Sequence, residues 1–231
     1  RNLLNCAAKI IVNSAYMKSE FEKSYPSLAA KVKIIPNGLN VDLYSKSTSK
    51  PYINDPYIFY VGRIVEKKGV DLLVKAFYKL KDLGLKLIIE GTGEELDKIK
   101  DTAKKLGIEQ QVIFTNGKLS TDEKISTMRN ALFGVIPSRI EPFGIVALEF
   151  MATETPFIAS KTGGLNDLLK DGETCLFFEN GNIDDLASKM ESMLNDRSLR
   201  ESLSKNGKNE VQKYKWESIS DKYLSCFNEI L

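Results

Sequence analysis

Short runs of β-branched and aromatic residues alternate along this chain with longer stretches whose apolar positions recur every three or four residues. The short runs are residues 9–13 (KIIVN), 32–35 (VKII), 57–61 (YIFYV), 86–89 (KLII), 112–114 (VIF), 133–136 (FGVI), 157–159 (FIA) and 174–178 (TCLFF). Each is predicted to be a strand. Helical periods separate most of them: 69–83, where Leu72, Leu73, Ala76, Phe77 and Leu80 share a face, then 94–106, 121–131 and 183–194. Strands that are almost wholly apolar are buried on both faces, and helical crossovers join parallel neighbours. The expected fold class is therefore α/β, a Rossmann-like doubly wound parallel sheet. Ligands of such sheets bind outside the carboxyl ends of the strands, so the loops after each strand are the places to look for chemistry.

A boundary interrupts the alternation between residues 36 and 56. Pro36-Asn37-Gly38 closes the second strand, and SKSTSK at 45–50 with Pro51, Asn54, Asp55 and Pro56 reads as an irregular linker. One β-α-β unit precedes it, too small to be a domain alone, and six strand–helix units follow. From residue 197 the chain is polar and helical, with Trp216, Ile219, Tyr223, Phe227 and Leu231 spaced along one face. The expected division is 1–44 as the end of an N-terminal domain with its interdomain linker, and 45–56 as irregular chain. Residues 57–214 form one complete domain, and 215–231 a helix that packs back on the N-terminal part.

Composition narrows the chemistry. Of 231 residues, 42% are hydrophobic and 28% charged, and 33 basic against 31 acidic side chains leave a net charge of +2. That balance offers no basic field for nucleic acid. The chain contains no histidine, which excludes a Ser-His-Asp or Cys-His nucleophile, a histidine zinc site and an imidazole pH switch within it. Cys6, Cys175 and Cys226 are far apart and form no C-x-x-C pair. They fit a reduced, cytoplasmic protein in which each is a small buried hydrophobe. No apolar run approaches the ~18–20 residues that span a bilayer, and no signal-peptide pattern opens the chain. The first residue is Arg1, and RNLLNCAAK has the character of mid-protein sequence. A fragment of a longer protein is the expectation.

Several strand-end loops carry candidate chemistry. After YIFYV come Gly62 and Arg63, then Lys68 and Gly69 where a helix should start. Two cations at a helix N-terminus suit a diphosphate, the arginine by a bidentate fork; the alternative is a pair of solvated charges beside Glu66 and Lys67. In IEPFGIVALEFMATET (140–155) Pro142 favours a first helical turn, and 143–152 is apolar on every side except for Glu149. A carboxylate in such a helix requires a buried cation, a backbone donor or ligand hydroxyls. Glu141 falls in the loop before that helix, and the free amides of Gly144, Ile145 and Val146 would point the same way. An internal salt bridge for Glu149 and simple exposure for Glu141 is the competing reading. Glu90-Gly91-Thr92-Gly93 and Gly163-Gly164-Leu165 are glycine turns that packing explains well, and the first lacks the third glycine of a dinucleotide fingerprint. Asn116-Gly117-Lys118-Leu119 could face a planar base. No D-x-D or carboxylate cluster asks for a divalent metal.

Together these motifs resemble the donor-binding half of a retaining nucleotide-sugar glycosyltransferase with the GT-B fold, of glycosyltransferase family 4 (group 1) and the glycogen-synthase-like enzymes near it. The residues that carry the resemblance are Val61-Gly62-Arg63 with Lys68-Gly69, the run 141–149 (EPFGIVALE), Met151-Ala152, Pro156, Ile158-Ala159 and Gly163-Gly164-Leu165. It covers 57–196 well and extends to 9–43, which is similar to the last strands of an N-terminal acceptor domain. It implies that Arg63 and Lys68 hold the donor diphosphate and that Glu149 takes the ribose hydroxyls. Glu141, with the amides around Phe143 and Gly144, would hold the transferred sugar, and Lys118 and Leu119 would contact the base. The implied donor is a UDP-, ADP- or GDP-sugar, with no cofactor and no metal. The acceptor, a glycan or lipid, would be bound mainly by an N-terminal domain this sequence lacks, through which alone any peripheral membrane contact would run. Phe150 and Thr153-Glu154 depart from the family's small-residue run of A-M-A-x-G-x-P style, a difference of packing more than chemistry. Two other readings stay open: a nucleotide-sugar-binding subunit completed by a separate polypeptide, and a sugar-nucleotide epimerase of the same fold.

Overall fold

The computed structural model describes residues 2–45, 50 and 52–230; most of the expected linker, 46–49 and 51, lies outside the described residues. A first unit runs α1 (Asn2–Cys6), β1 (Ile10–Val12), α2 (Ala15–Ser24), β2 (Val32–Ile34) and α3 (Val41–Ser45). Then come β3 (Tyr57–Val61), α4 (Val70–Tyr78), β4 (Lys86–Glu90), α5 (Leu96–Lys105), β5 (Val112–Phe114) and α6 (Thr121–Arg129). The chain continues with β6 (Phe133–Ile136), α7 (Ile145–Ala152), β7 (Phe157–Ser160), α8 (Leu165–Leu168), β8 (Leu176–Phe178), α9 (Ile183–Asn195), α10 (Arg197–Glu210) and α11 (Trp216–Asn228).

The second unit is a six-stranded parallel sheet in the order β5-β4-β3-β6-β7-β8. Strands alternate their side chains between faces, and β3 shows the consequence. Ile58 and Tyr60 join Leu73, Phe77 and Met190 on the side of α4 and α9, while Tyr57 and Phe59 join Met128, Leu148 and Phe150 on the side of α6 and α7. Both faces are thus covered, which is why the strands read as unbroken apolar runs. Residues 147–152 of α7 are all buried.

The start of α7 differs from the expectation. Gly144, at φ 103°, turns the chain sharply, so helical structure begins at Ile145 and Pro142 lies in the preceding loop. Phe150 explains its own departure from the family pattern. A Cβ on Gly134 of β6 would lie 2.2 Å from the tip of the Phe150 ring, so the strand glycine makes the room that the ring fills. The ring then stacks on Phe157 at 5.6 Å. Glu154 stands at the glycine position of that run and adopts φ 58°, with its carboxylate 2.8 Å from Lys208.

The first unit is a two-stranded parallel sheet, β1-β2, against which α11 lies. Ile35, Ile219 and Cys226 are buried there with Tyr223 beside them, whereas Trp216 and Phe227 are half exposed. The buried stripe of α11 is therefore narrower than predicted, because 216 and 227 fall roughly 60–80° around the helix from Ile219 at 3.6 residues per turn. Leu231 lies outside the described residues. Cysteines need one correction: Cys175 and Cys226 are buried, but Cys6, the last residue of the short helix α1, is exposed. No helix among the described residues is long and apolar enough to cross a membrane.

Filling the space above Gly134 tests the pairing with Phe150. Gly134→Ala is expected to destabilise the chain by about 1–3 kcal/mol, the usual cost of overpacking a closed core, measured by urea denaturation. Phe150→Leu in the same background is expected to recover part of that loss.

Candidate functional site

Strand order reverses between β3 and β6, the first and fourth strands of the large sheet. At such a switch point the two crossovers leave in opposite directions and a crevice opens beyond the strand ends. The loop after β3 carries Gly62, Arg63 and Lys68; the loop after β6 carries Glu141.

The β3 loop is held from beneath. Gly62 N–H donates to the Glu90 carbonyl at 3.0 Å and Ile64 N–H to that of Thr92 at 2.8 Å, extending the β3–β4 ladder past the strands. A Cβ on Gly91 would approach the Gly62 carbonyl oxygen to 1.9 Å, so this glycine serves close backbone contact. The buried Tyr60 hydroxyl donates to the Arg63 carbonyl at 2.9 Å. The Arg63 side chain itself is exposed and makes no hydrogen bond or ion pair with the described residues. Neither cation sits in the first turn of α4, as the sequence had led us to expect. Lys68 ends a 3₁₀ turn, Glu66–Lys68, and Gly69 at φ 64° separates it from the helix.

Lys68 meets Glu141 across the crevice at 2.6 Å. The carboxylate is 8% exposed and its Oε2 also accepts from the Ser138 hydroxyl at 3.2 Å; Oε1 has no partner among the described residues. Glu141 is thus neither simply exposed nor fully satisfied. Its backbone is fixed by the Gly163–Gly164 turn, where Gly164 N–H donates to the Glu141 carbonyl at 2.8 Å. The packing explanation of that glycine pair holds.

Glu149 has found its cation inside the chain. Its Oε1 accepts from Lys124 of α6 at 3.0 Å and from the Tyr44 hydroxyl of α3. Burial, with the Glu149 charge beside it, pushes the Tyr44 hydroxyl well above its ordinary pKa, so it stays a donor. Oε2 has no partner among the described residues. The salt-bridge reading is correct for one oxygen, and the ligand reading remains open for the other. Lys124 and Tyr44 escaped the sequence reading; the demand of Glu149 for a buried cation was the signal, but nothing in the sequence says which lysine answers it.

Arg139 was also missed. Its guanidinium grips Asp71 of α4 through two bonds of 2.8 and 2.9 Å, and its backbone N–H donates to the Lys67 carbonyl at 2.8 Å. The Arg139 carbonyl accepts from Thr162 at 3.0 Å and Asn180 at 2.9 Å. The Glu141 loop is thereby tied to the loops after β7 and β8 and to the turn bearing Lys68. Burial pushes the Asp71 carboxyl up, but the Arg139 and Lys75 bonds outweigh it and hold the carboxyl below its ordinary range.

The remaining candidates are placed without mutual contact. Phe143 turns inward, edge-on to Tyr214 at 6.5 Å, and so offers the crevice its backbone. The amides of Gly144, Ile145 and Val146 have no acceptor among the described residues. Lys118 is exposed and Leu119 half-buried in the loop after β5, two strands from β3. That loop leans on the 91–93 turn, and the buried Asn116 Oδ1 has no partner among the described residues. No group of three His, Cys, Asp or Glu side chains is placed to hold a metal among the described residues.

A parallel sheet of this order, with cations and carboxylates gathered at its switch point and a β-α-β unit beside it, is the Rossmann-like C-terminal domain of GT-B enzymes. The chain belongs to the glycosyl transferases group 1 family, whose model matches residues 45–210. It is 35% identical over 211 residues to a glycosyltransferase of Methanocaldococcus jannaschii, covering 90% of this chain and 56% of that protein. Glycogen synthase of Mycobacterium tuberculosis is 31% identical over 189 residues, 81% of this chain and 45% of the synthase. The chain thus spans about half the length of these relatives. Among solved structures, sucrose-phosphate synthase of Thermosynechococcus elongatus superposes with a TM-score of 0.85 at 27% identity, over 99% of this chain and 60% of that one. Anabaena HepE, solved with UDP-glucose, shares the fold at a TM-score of 0.90 and 22% identity, over 99% of this chain and 66% of its own.

The Arg139–Asp71 link makes a pH-dependent prediction. A carboxyl whose pKa is depressed by folding adds stability above its unfolded value, and that stability is lost as pH falls through the folded value. Asp71→Asn is expected to cost about 1 kcal/mol at neutral pH for this partly exposed pair. The gap between wild type and variant should narrow below pH 3.8, the ordinary value, in denaturant melts run across pH.

Proposed function

We propose that this chain is the donor half of a retaining glycosyltransferase, binding a nucleoside diphosphate sugar in the crevice between β3 and β6. The observation that carries the reading is the state of the charged groups there. Among the described residues the exposed Arg63 guanidinium has no partner, while Glu141 and Glu149 are buried residues each with one carboxylate oxygen held by a lysine and the other without a protein partner. Paired cations suit a diphosphate, and half-satisfied buried carboxylates suit hydroxyls.

In this reading Arg63 and Lys68 hold the diphosphate. Lys68 has three N–H donors, so it can keep Glu141 while it meets a phosphate oxygen. Glu141 Oε1 and the amides at 143–146 take hydroxyls of the sugar, Glu149 Oε2 those of the ribose, and the loop at Lys118 and Leu119 faces the base. Transfer breaks the bond between the anomeric carbon and the diphosphate oxygen, whose electron pair departs with the diphosphate. The acceptor hydroxyl oxygen forms the new bond and passes its proton to the departing diphosphate oxygen, which holds the freed electron pair. The growing charge on the leaving group falls beside two cations, where stabilisation acts most strongly in the transition state. The resemblance to glycogen synthase and to HepE with UDP-glucose supports a hexose donor. Residues 57–214 would form the donor domain and 1–44 the edge of an acceptor domain that binds a glycan or lipid, with a cytoplasmic setting suited to three free thiols.

Calorimetric titration of UDP, ADP and GDP is the test. At least one nucleotide is expected to bind, and Arg63→Ala and Glu149→Ala should each weaken it about tenfold or more, ~1.4 kcal/mol. Undiminished affinity in both folded variants would overturn the assignment.

A further inference from the structure

The first unit touches the candidate site through α3, where the Tyr44 hydroxyl donates to Glu149, and along a seam at the start of α2. Ser14, the N-cap of α2 and 3% exposed, donates its hydroxyl proton to the Pro142 carbonyl at 2.6 Å while its oxygen accepts from Met17 N–H at 3.1 Å. Two residues on, the Tyr16 N–H donates to the Asp167 carboxylate at 2.9 Å, just past the Gly163–Gly164 turn. A cavity of about 210 Å³ lies along the seam between Ser14, Pro36, Phe143 and Gly164.

The partner of Ser14 is unusual in its position. The Pro142 carbonyl and the Phe143 N–H belong to one planar trans peptide, so fixing the oxygen fixes the direction of the opposite N–H. Glu141 precedes this peptide and Gly144, with its left-handed φ, follows it. Among the described residues the Pro142 carbonyl accepts from Ser14 alone. A hydroxyl suits both tasks, since it caps a helix as acceptor and holds a carbonyl as donor.

We propose that Ser14 is a positioning residue: by holding the Pro142 carbonyl it orients the Glu141–Gly144 loop for the sugar of the donor, so the placement of the first unit is read directly in the sugar-binding loop. This rests on the proposed donor site, in which that loop meets the sugar. It assigns to a residue outside the large sheet a share of sugar recognition without contact to the sugar.

Ser14→Gly removes the hydroxyl and leaves a residue that helix N-caps tolerate, and Ser14→Thr keeps both donor and acceptor. Hydrogen exchange in the ligand-free 231-residue chain reads the loop directly through two bonded amides, Gly164 (to Glu141 carbonyl) and Ala147 (to Gly144 carbonyl), with Thr115 in the sheet as control. Ser14→Gly is expected to speed exchange at both about tenfold and leave Thr115 unchanged, and Ser14→Thr to restore it. Titration of UDP against UDP-glucose, and of the ADP and GDP pairs, should show the extra affinity contributed by the sugar reduced in Ser14→Gly with nucleotide affinity intact. Unchanged exchange at Gly164 and Ala147, or equal loss of nucleotide and sugar-nucleotide affinity, would overturn the proposal. Faster loop exchange in Ser14→Gly together with a wild type that binds no nucleotide would sink the donor reading and leave the positioning of the loop standing.

Discussion

Parallel pairing places every strand's carboxyl end on one edge of the sheet, and the reversal between β3 and β6 then forces two loops apart over a crevice. Everything at the candidate site inherits its position from that constraint. Arg63 and Lys68 leave β3 on one side, Glu141 leaves β6 on the other, and the Lys68–Glu141 pair is where they meet. The sheet can hold this geometry because both faces are closed by helices, leaving only the strand-end edge free for polar groups.

The charges at that edge show a common economy of design. A buried carboxylate is costly without a partner, by several kcal/mol, yet a fully satisfied one has nothing left for a ligand. Glu141 and Glu149 lie between these limits. Each is stabilised by one lysine and one hydroxyl on a single oxygen, Lys68 with Ser138 and Lys124 with Tyr44, and each keeps the second oxygen without a partner among the described residues. Arg139 is engaged in structure, locking Asp71 and the loop that bears Glu141. The Arg63 guanidinium has no partner among the described residues. That division separates groups that shape the site from groups that remain free to act in it.

Loops carrying such charges must be stiff, and stiffness here comes from backbone packed on backbone. The turn at Gly91 lies against Gly62, and the Gly163–Gly164 turn lies against Glu141 and Pro142, at distances that exclude a Cβ. These glycines, ambiguous as sequence motifs, are the means by which neighbouring strand ends brace each other. Ser14 adds a brace from outside the sheet, and with it the site becomes sensitive to where the first unit stands.

The fold was legible in the sequence because it rests on local periodicity. Eight apolar runs became eight strands, and the apolar all-round helix containing Glu149 became a buried one, since burial on both faces leaves a plain compositional mark. The gathering of the candidate loops at one edge was legible as well, because parallel topology sends strand-end loops there. Partnerships were not. Lys124, Tyr44, Arg139 and Ser14 lie between 25 and 128 residues from the groups they hold, and no local pattern encodes a contact that long. The turn at Gly144 that delays the start of α7 likewise has a distant neighbour, Leu165, packed where a Cβ would lie. The sequence by itself determined which elements form and which residue types stand at their ends. Only the tertiary structure decided which oxygen each carboxylate keeps free, because that depends on which distant side chains the sheet order brings within hydrogen-bond reach.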